Sequence, residues 1–172
     1  MMSEKISQDD AVAMLTSVGG IMRSIKHLYA EHEGIDHGAA VVLSMLYRLG
    51  PVRPSDIAQA CGLDMSTVSR YARTQEEAGR VAKVADPADR RAHRLALTDA
   101  GIEHVDGLWR ARIENFRDLI GHWSPQDAQT LTTLARRLAA DLGQEHPIEM
   151  PDLEQVRAAH KAALAETLPK GA

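Results

Sequence analysis

The stretch "DPADRRAHRLALTDAG", residues 86–101, crowds Arg90, Arg91, His93 and Arg94 together just after Pro87. Guanidinium groups held out in a loop suit bidentate contact with phosphate, or entry into a narrow groove of negative potential. A second basic and hydroxylic set lies upstream, where Ser66, Thr67, Ser69, Arg70 and Arg73 fall at helical spacing, preceded by Ser55. Hydroxyls and guanidiniums at the start of a helix are the donors that phosphate oxygens and base edges accept. From Ser66 to Arg94 there are seven Lys or Arg and four Asp or Glu, a local charge of +3. The whole chain carries −4, so the remainder carries −7. A small basic island on an acidic body fits a local polyanion contact and argues against a chain coated in nucleic acid.

Two short helices must hold the upstream set. In "RPSDIAQACGLDMSTVSRYARTQEEAG", Pro54 and Ser55 open the first helix, with Ile57, Ala58 and Cys61 on its inner side. Gly62 supplies a tight turn and Leu63 fills the angle. The second helix begins near Met65 or Ser66, with Ser66 or Thr67 as its cap, and runs to Ala78 before Gly79 stops it. Its Val68 and Ala72 face inward while the hydroxyls and Arg70 and Arg73 face out. Two short helices joined by a glycine turn form the helix-turn-helix pattern. "RVAKVA" and "HRLALT" flank the basic loop, Leu95 and Leu97 on one face and Arg94 and Ala96 on the other, so the loop is the tip of a hairpin.

The flanks read as helices. Leu15, Val18, Met22, Ile25 and Tyr29 recur every three or four residues, after a start signal at Ser7 and Asp10. "GAAVVLSMLYRL", residues 38–49, is a more buried helix ended by Gly50-Pro51. Thr98 caps a long helix carrying Ile102, Val105, Trp109, Phe116 and Leu119, and Ser124-Pro125 opens another with Leu131, Leu134, Leu138 and Leu142. Beyond Pro147 and Pro151, residues 152–168 carry weakly amphipathic turns with Leu153, Val156 and Leu164.

Bulk properties narrow the classes. The chain of 172 residues is 44% hydrophobic and 26% charged, as globular proteins are, with only 3% aromatics. Cys61 is the single cysteine, so no intramolecular disulfide forms, and its place on an inner helix side reads as a buried structural thiol. No signal pattern and no apolar run of about 20 residues is present, which predicts a cytoplasmic protein with no membrane partner. A Gly-rich phosphate loop, a nucleophile elbow and a tight carboxylate or metal set are all lacking, so the chain is not expected to be an enzyme or to need a cofactor.

The expected fold is therefore mainly α with a small β-hairpin wing. A helix fits the DNA major groove and a thin hairpin reaches the adjacent minor groove. At "STVSRYARTQEEAGRVAKVADPADRRAHRLALTDAG" the chain resembles the MarR family of bacterial winged helix-turn-helix regulators, most specifically over Asp86–Gly101, with the likeness running over about residues 10–143. The resemblance implies a winged helix-turn-helix DNA-binding domain at 37–98 and a helical dimerisation domain built from 1–36 and 99–146. The extension, 147–172, would lengthen the dimer interface. It further implies a homodimer on pseudo-palindromic double-stranded operator DNA, acting as a repressor that a small-molecule effector releases. Ser66, Thr67, Ser69, Arg70 and Arg73 would take the major-groove and phosphate role, and Asp89, Arg90 and Arg91 the wing role, with Arg91 entering the minor groove and Asp89 holding its conformation. The run of about 25 residues past the family's usual end is one departure, and two more stand out: Gln75 where the family has Leu, and Arg80 where it has an apolar residue. Both bear on the packing between recognition helix and wing.

The histidines leave a second question open. "KHLYAEHEGIDHG" gathers His27, Glu31, His32, Glu33, Asp36 and His37, while His104 opens the long helix. His27 and Glu31 share a helix face and could ligate zinc, giving a metal-responsive regulator using His27, His37 and His104. The ordinary reading is a polar lining, with Trp109, for an organic ligand. Trp109, Phe116 and Leu119 read first as dimer core. A winged module that binds protein instead of DNA is the remaining alternative.

Overall fold

A computed structural model describes residues 5–32, 37–89, 91–143 and 151–167, without the side chains of residues 26, 28–32, 37 and 167. Its described elements are α1 (Gln8–His32), α2 (His37–Leu49), α3 (Pro54–Cys61), α4 (Met65–Glu77), β1 (Val81–Ala85), β2 (His93–Leu97), α5 (Asp99–Leu119), α6 (Pro125–Asp141) and α7 (Leu153–Thr167). The chain divides into residues 1–37 and residues 38–172. The mainly α architecture with one antiparallel hairpin is as expected.

In the first unit, Ser7 caps α1. Its Oγ accepts the Asp10 N–H at 3.1 Å and donates to the Asp10 carboxylate at 2.7 Å. Leu15 and Met22 of the apolar stripe are 75% and 68% exposed. Among the described residues of this unit nothing covers those two side chains, although the periodicity reads as a buried face.

In the second unit the core is laid down by α2, which buries Ala39, Ala40, Val42, Leu43, Leu46 and Tyr47. Gly50, at φ +76, ends it in the left-handed region and donates its N–H to Leu46 O. Pro54 opens α3, and Gly62, at φ +62, closes it. Leu63 N–H then bonds back to Ala58 O at 2.9 Å, completing the tight turn into α4.

β1 and β2 pair with Val81 opposite Leu97 and Ala85 opposite His93. Val52 adds an isolated bridge on the far edge of β2, exchanging two bonds with Leu95. Thr98 then joins three elements: its N–H donates to Arg80 O, its Oγ1 donates to Gly79 O, and the same Oγ1 accepts the Gly101 N–H. Gly101 is required there, because a Cβ would collide with the Arg80 carbonyl.

The hairpin departs from the alternation expected of it. Leu95, Ala96 and Leu97 are all buried, so both faces of β2 are covered. The second cover is α7, whose Ala163 and Leu164 pack on Val84 and Ala96. The extension therefore forms a helix and folds back onto the hairpin of its own chain. Burying a small apolar sheet face is the drive for a helix with only a narrow apolar stripe.

Candidate nucleic-acid interface

The outer face of α4 carries the sequence-predicted set. Ser66, Ser69, Arg70 and Arg73 are exposed and Thr67 is half-buried, while Val68 and Ala72 are buried beneath them. Ser55 lies exposed on the first turn of α3. The cap of α4 differs from the expectation: it is Asp64, not Ser66 or Thr67. Its carboxylate accepts the Thr67 N–H at 2.8 Å, and the hydroxyls of Ser66 and Thr67 both donate to it. A carboxylate outcompetes a hydroxyl for this place because it also faces the positive end of the helix dipole. The hydroxyl donations, Ser66 first and then Thr67, hold the Asp64 carboxyl well below the usual carboxylate range. Ser66 and Thr67 therefore have acceptor lone pairs free but spend their protons on Asp64.

Arg70 places its guanidinium 4.7 Å from the centroid of the Tyr71 ring, which fixes its stem on the helix surface. The Tyr71 ring in turn lies where a Cβ on Gly38 would stand, so α2 meets α4 closely at that glycine. Arg73 pairs with Glu77 at 3.0 Å along the exposed helix surface, and such a pair contributes little.

The two family departures meet each other. Gln75 is only 3% exposed, and its Oε1 accepts a 3.1 Å bond from Arg80 Nη1. A polar pair thus fills the joint between α4 and β1 where two apolar side chains would otherwise pack.

The hairpin tip is organised by two aspartates. Asp89 Oδ1 accepts the Arg91 N–H at 2.9 Å and Asp89 O accepts the Ala92 N–H, a local turn that presents Arg91 to solvent. Asp86, which sequence reasoning passed over, is buried. It takes the Arg53 Nε–H at 2.7 Å and the N–H groups of Ala88 and Asp89. Those bonds, Arg53's first, lower its pKa to about 2. Arg90 lies outside the described residues.

The histidine constellation is only partly in view. His27 is exposed on α1, His104 is half-buried on α5, and the side chains of Glu31, His32 and His37 lie outside the described residues, as do Glu33 and Asp36 entirely. Among the described residues no three His, Cys, Asp or Glu are grouped to hold a metal ion. Trp109 is half-buried, with the Arg112 guanidinium 5.1 Å from its ring centroid. An open cleft of about 550 Å³ lies elsewhere, at the α5–α6 corner, lined by His122, Trp123, Asp127, Thr130, Leu131 and Leu134. Cys61 is half-buried, and burial pushes its thiol pKa up while Arg48 opposes. A thiol in that state is a poor nucleophile.

A short helix pair with an exposed hydroxylic and basic second helix, followed by a two-stranded basic hairpin, defines the winged helix-turn-helix class of DNA-binding protein. Residues 35–93 match the model described as MarR family, and over that stretch the chain is similar to transcriptional regulators. It is 26% identical over 104 residues to the HTH-type transcriptional regulator YxaD of Bacillus subtilis, covering 60% of this chain and 73% of that one. The HTH-type regulator PecS of Dickeya dadantii is 28% identical over 104 residues, 59% of this chain and 63% of its own length. A MarR family protein of Bacillus stearothermophilus has the same fold, with a TM-score of 0.74 at 17% identity over 81% of this chain and 99% of its own. No described helix is long and apolar enough to cross a membrane.

Proposed function

We propose that the chain is a homodimeric regulator that reads a pseudo-palindromic operator in double-stranded DNA and represses its own or a nearby gene in the cytoplasm until a small ligand releases it. The observation that carries the reading is the single packed unit that presents two sets together. Ser66, Ser69, Arg70 and Arg73 lie on the outer face of α4, and Arg91 lies at a tip held by Asp86 and Asp89. In this reading Ser55, Ser69, Arg70 and Arg73 serve the major groove and its phosphates, and Ser66 and Thr67, whose protons go to Asp64, serve the major groove as acceptors toward base edges. Asp89, Arg90 and Arg91 serve the wing, with Arg91 in the minor groove.

Dimerisation is supported by apolar side chains left in solvent: Leu15 and Met22 on α1, Phe116 and Leu119 on α5, and Leu131 and Leu134 on α6. So much exposed apolar surface calls for a partner, and a second copy would set two recognition helices about 34 Å apart, one turn of duplex. Repression and ligand release rest on the family likeness. The effector site is proposed near His104 and Trp109; Trp109 Nε1 is buried without a hydrogen-bond partner among the described residues.

The test is fluorescence-anisotropy titration against the duplex upstream of the chain's own gene, at two salt concentrations and with random duplex as competitor. Tight binding that resists competitor and weakens with salt is expected, since phosphate contacts release counterions. Absence of binding to any duplex, with the chain folded, would replace this reading by the protein-interaction module.

A further inference from the structure

His160 of α7 is fully buried and bonds only to main chain. Its Nδ1 accepts the Leu97 N–H at 3.0 Å, and its Nε2 lies 3.0 Å from Leu46 O. An amide N–H can only donate and a carbonyl can only accept, so Nδ1 carries the lone pair and Nε2 the proton. The ring is neutral. On the edge of β2 away from β1, Leu95 bonds to Val52, and two residues on Leu97 faces the same way and bonds to the imidazole. The ring thus continues the edge that Val52 begins, and ties the outgoing strand of the hairpin to the last turns of α2. The match to the family model ends at residue 93, well before α7 begins.

We infer that His160 is a positioning residue for the wing: as a neutral imidazole it fixes β2 to α2, and a second proton on the ring undoes that hold. The inference rests on the reading that the wing touches the duplex. A proton on Nδ1 would meet the Leu97 N–H head on, donor against donor. Burial pushes the ring's pKa down, with the Leu46 carbonyl opposing. The charged and titratable groups on the surrounding elements include Tyr47 and Arg48 on α2, Lys83 on β1, His93 and Arg94 on β2, Glu103, His104 and Asp106 on α5, and Glu154, Arg157 and Lys161 on α7; the ring's own hydrogen bonds go to Leu97 and Leu46 main chain.

The sign follows from linkage. An undocked imidazole takes a proton near its ordinary value of about 6.5, whereas the docked one resists it. Above that pH nothing is lost. Below it, docking of α7 weakens by about tenfold per pH unit until the docked ring itself takes the proton.

The full-length chain carries the test, by amide exchange of Leu97 between pH 7.5 and 5.5, corrected for intrinsic rate, beside duplex binding with A·T-rich and G·C-rich flanks. In the unaltered chain, Leu97 protection should fall about tenfold per pH unit below 6.5 while core amides of α2 hold theirs. His160→Asn keeps an acceptor near the Nδ1 position and cannot charge, so it should retain protection and flank preference and be flat with pH. His160→Leu should lose both at pH 7.5. Leu97 protection that does not change with pH in the unaltered chain overturns the inference, and that measurement needs no variant. Protection lost in His160→Leu with flank preference intact overturns the positioning role. An unaltered chain that shows the pH response and binds no duplex at all overturns the operator reading instead.

Discussion

Asp86 and Arg53, thirty-three residues apart, are joined by a 2.7 Å bond from the Arg53 Nε–H to the Asp86 carboxylate. That bond fastens the tip end of the hairpin, where the loop leaves β1, to the start of α3, since Arg53 is the residue from which α3 springs. The Asp86 pKa, lowered from 3.8 to about 2, gives the pH signature. The folded value lies below the unfolded one, so this stabilisation is fully present above about pH 4 and is lost as pH falls toward 2. Urea unfolding followed from pH 6 to pH 2 should show that loss, and Asp86→Asn should be less stable at pH 6 and flatter across the window.

Gln75 and Arg80 form a second pair, and its members should behave as one. Gln75→Leu leaves the Arg80 guanidinium facing an apolar wall, whereas Gln75→Leu with Arg80→Leu restores an all-apolar joint. A double-mutant cycle by chemical denaturation should give a coupling of about 0.5–1.5 kcal/mol, the double variant being more stable than the two single losses predict. Additive losses would mean that the 3.1 Å contact contributes nothing.

Thr98 and Gly101 hold α5 against the end of α4. Thr98→Ala removes the cap bond to Gly101 and the donor to Gly79, and should cost about 1 kcal/mol. Gly101→Ala drives a Cβ at the Arg80 carbonyl, which is backbone and yields poorly; it should cost about 1–3 kcal/mol. Thermal unfolding checks both, and an unchanged midpoint for Gly101→Ala would show that α5 can slide without harm.

Two arginines separate base reading from general charge. Arg91→Ala should weaken binding mainly at A·T-rich flanks and Arg70→Ala mainly at the half-site, each by about 1–3 kcal/mol, in anisotropy titrations on altered duplexes. Equal loss on every sequence from both would leave only phosphate contact.

Leu119 is 58% exposed on α5, so Leu119→Glu has no core to disturb in the single chain. Light scattering should find the unaltered chain at twice the mass of the variant, with helical content unchanged. A variant that stays dimeric would remove α5 from the proposed interface.

What the sequence by itself determined is what near neighbours decide. The cap at Thr98, the start at Ser124-Pro125, and the stops at Gly50, Gly62 and Gly79 were all legible, because caps and left-handed turns are set by chemistry within four residues. The helix-turn-helix and hairpin followed from those boundaries together with the inward Val68 and Ala72. Even locally one choice was missed: Asp64 lies three residues before Thr67, but two hydroxyls beside it were equally plausible caps until the carboxylate was seen to hold all three donors.

Tertiary structure alone decided the rest. Leu95, Ala96 and Leu97 alternate as a one-sided strand, and only the return of α7 buries the second side. Asp86 in a charged loop looked like solvated charge until Arg53 met it across the fold. His160 carries no signal in the sequence, because its partners lie 63 and 114 residues away and are main-chain groups that leave no mark in side-chain spacing. The apolar stripe of α1 makes the same point in reverse: periodicity says that a face must be covered, and it cannot say by which chain.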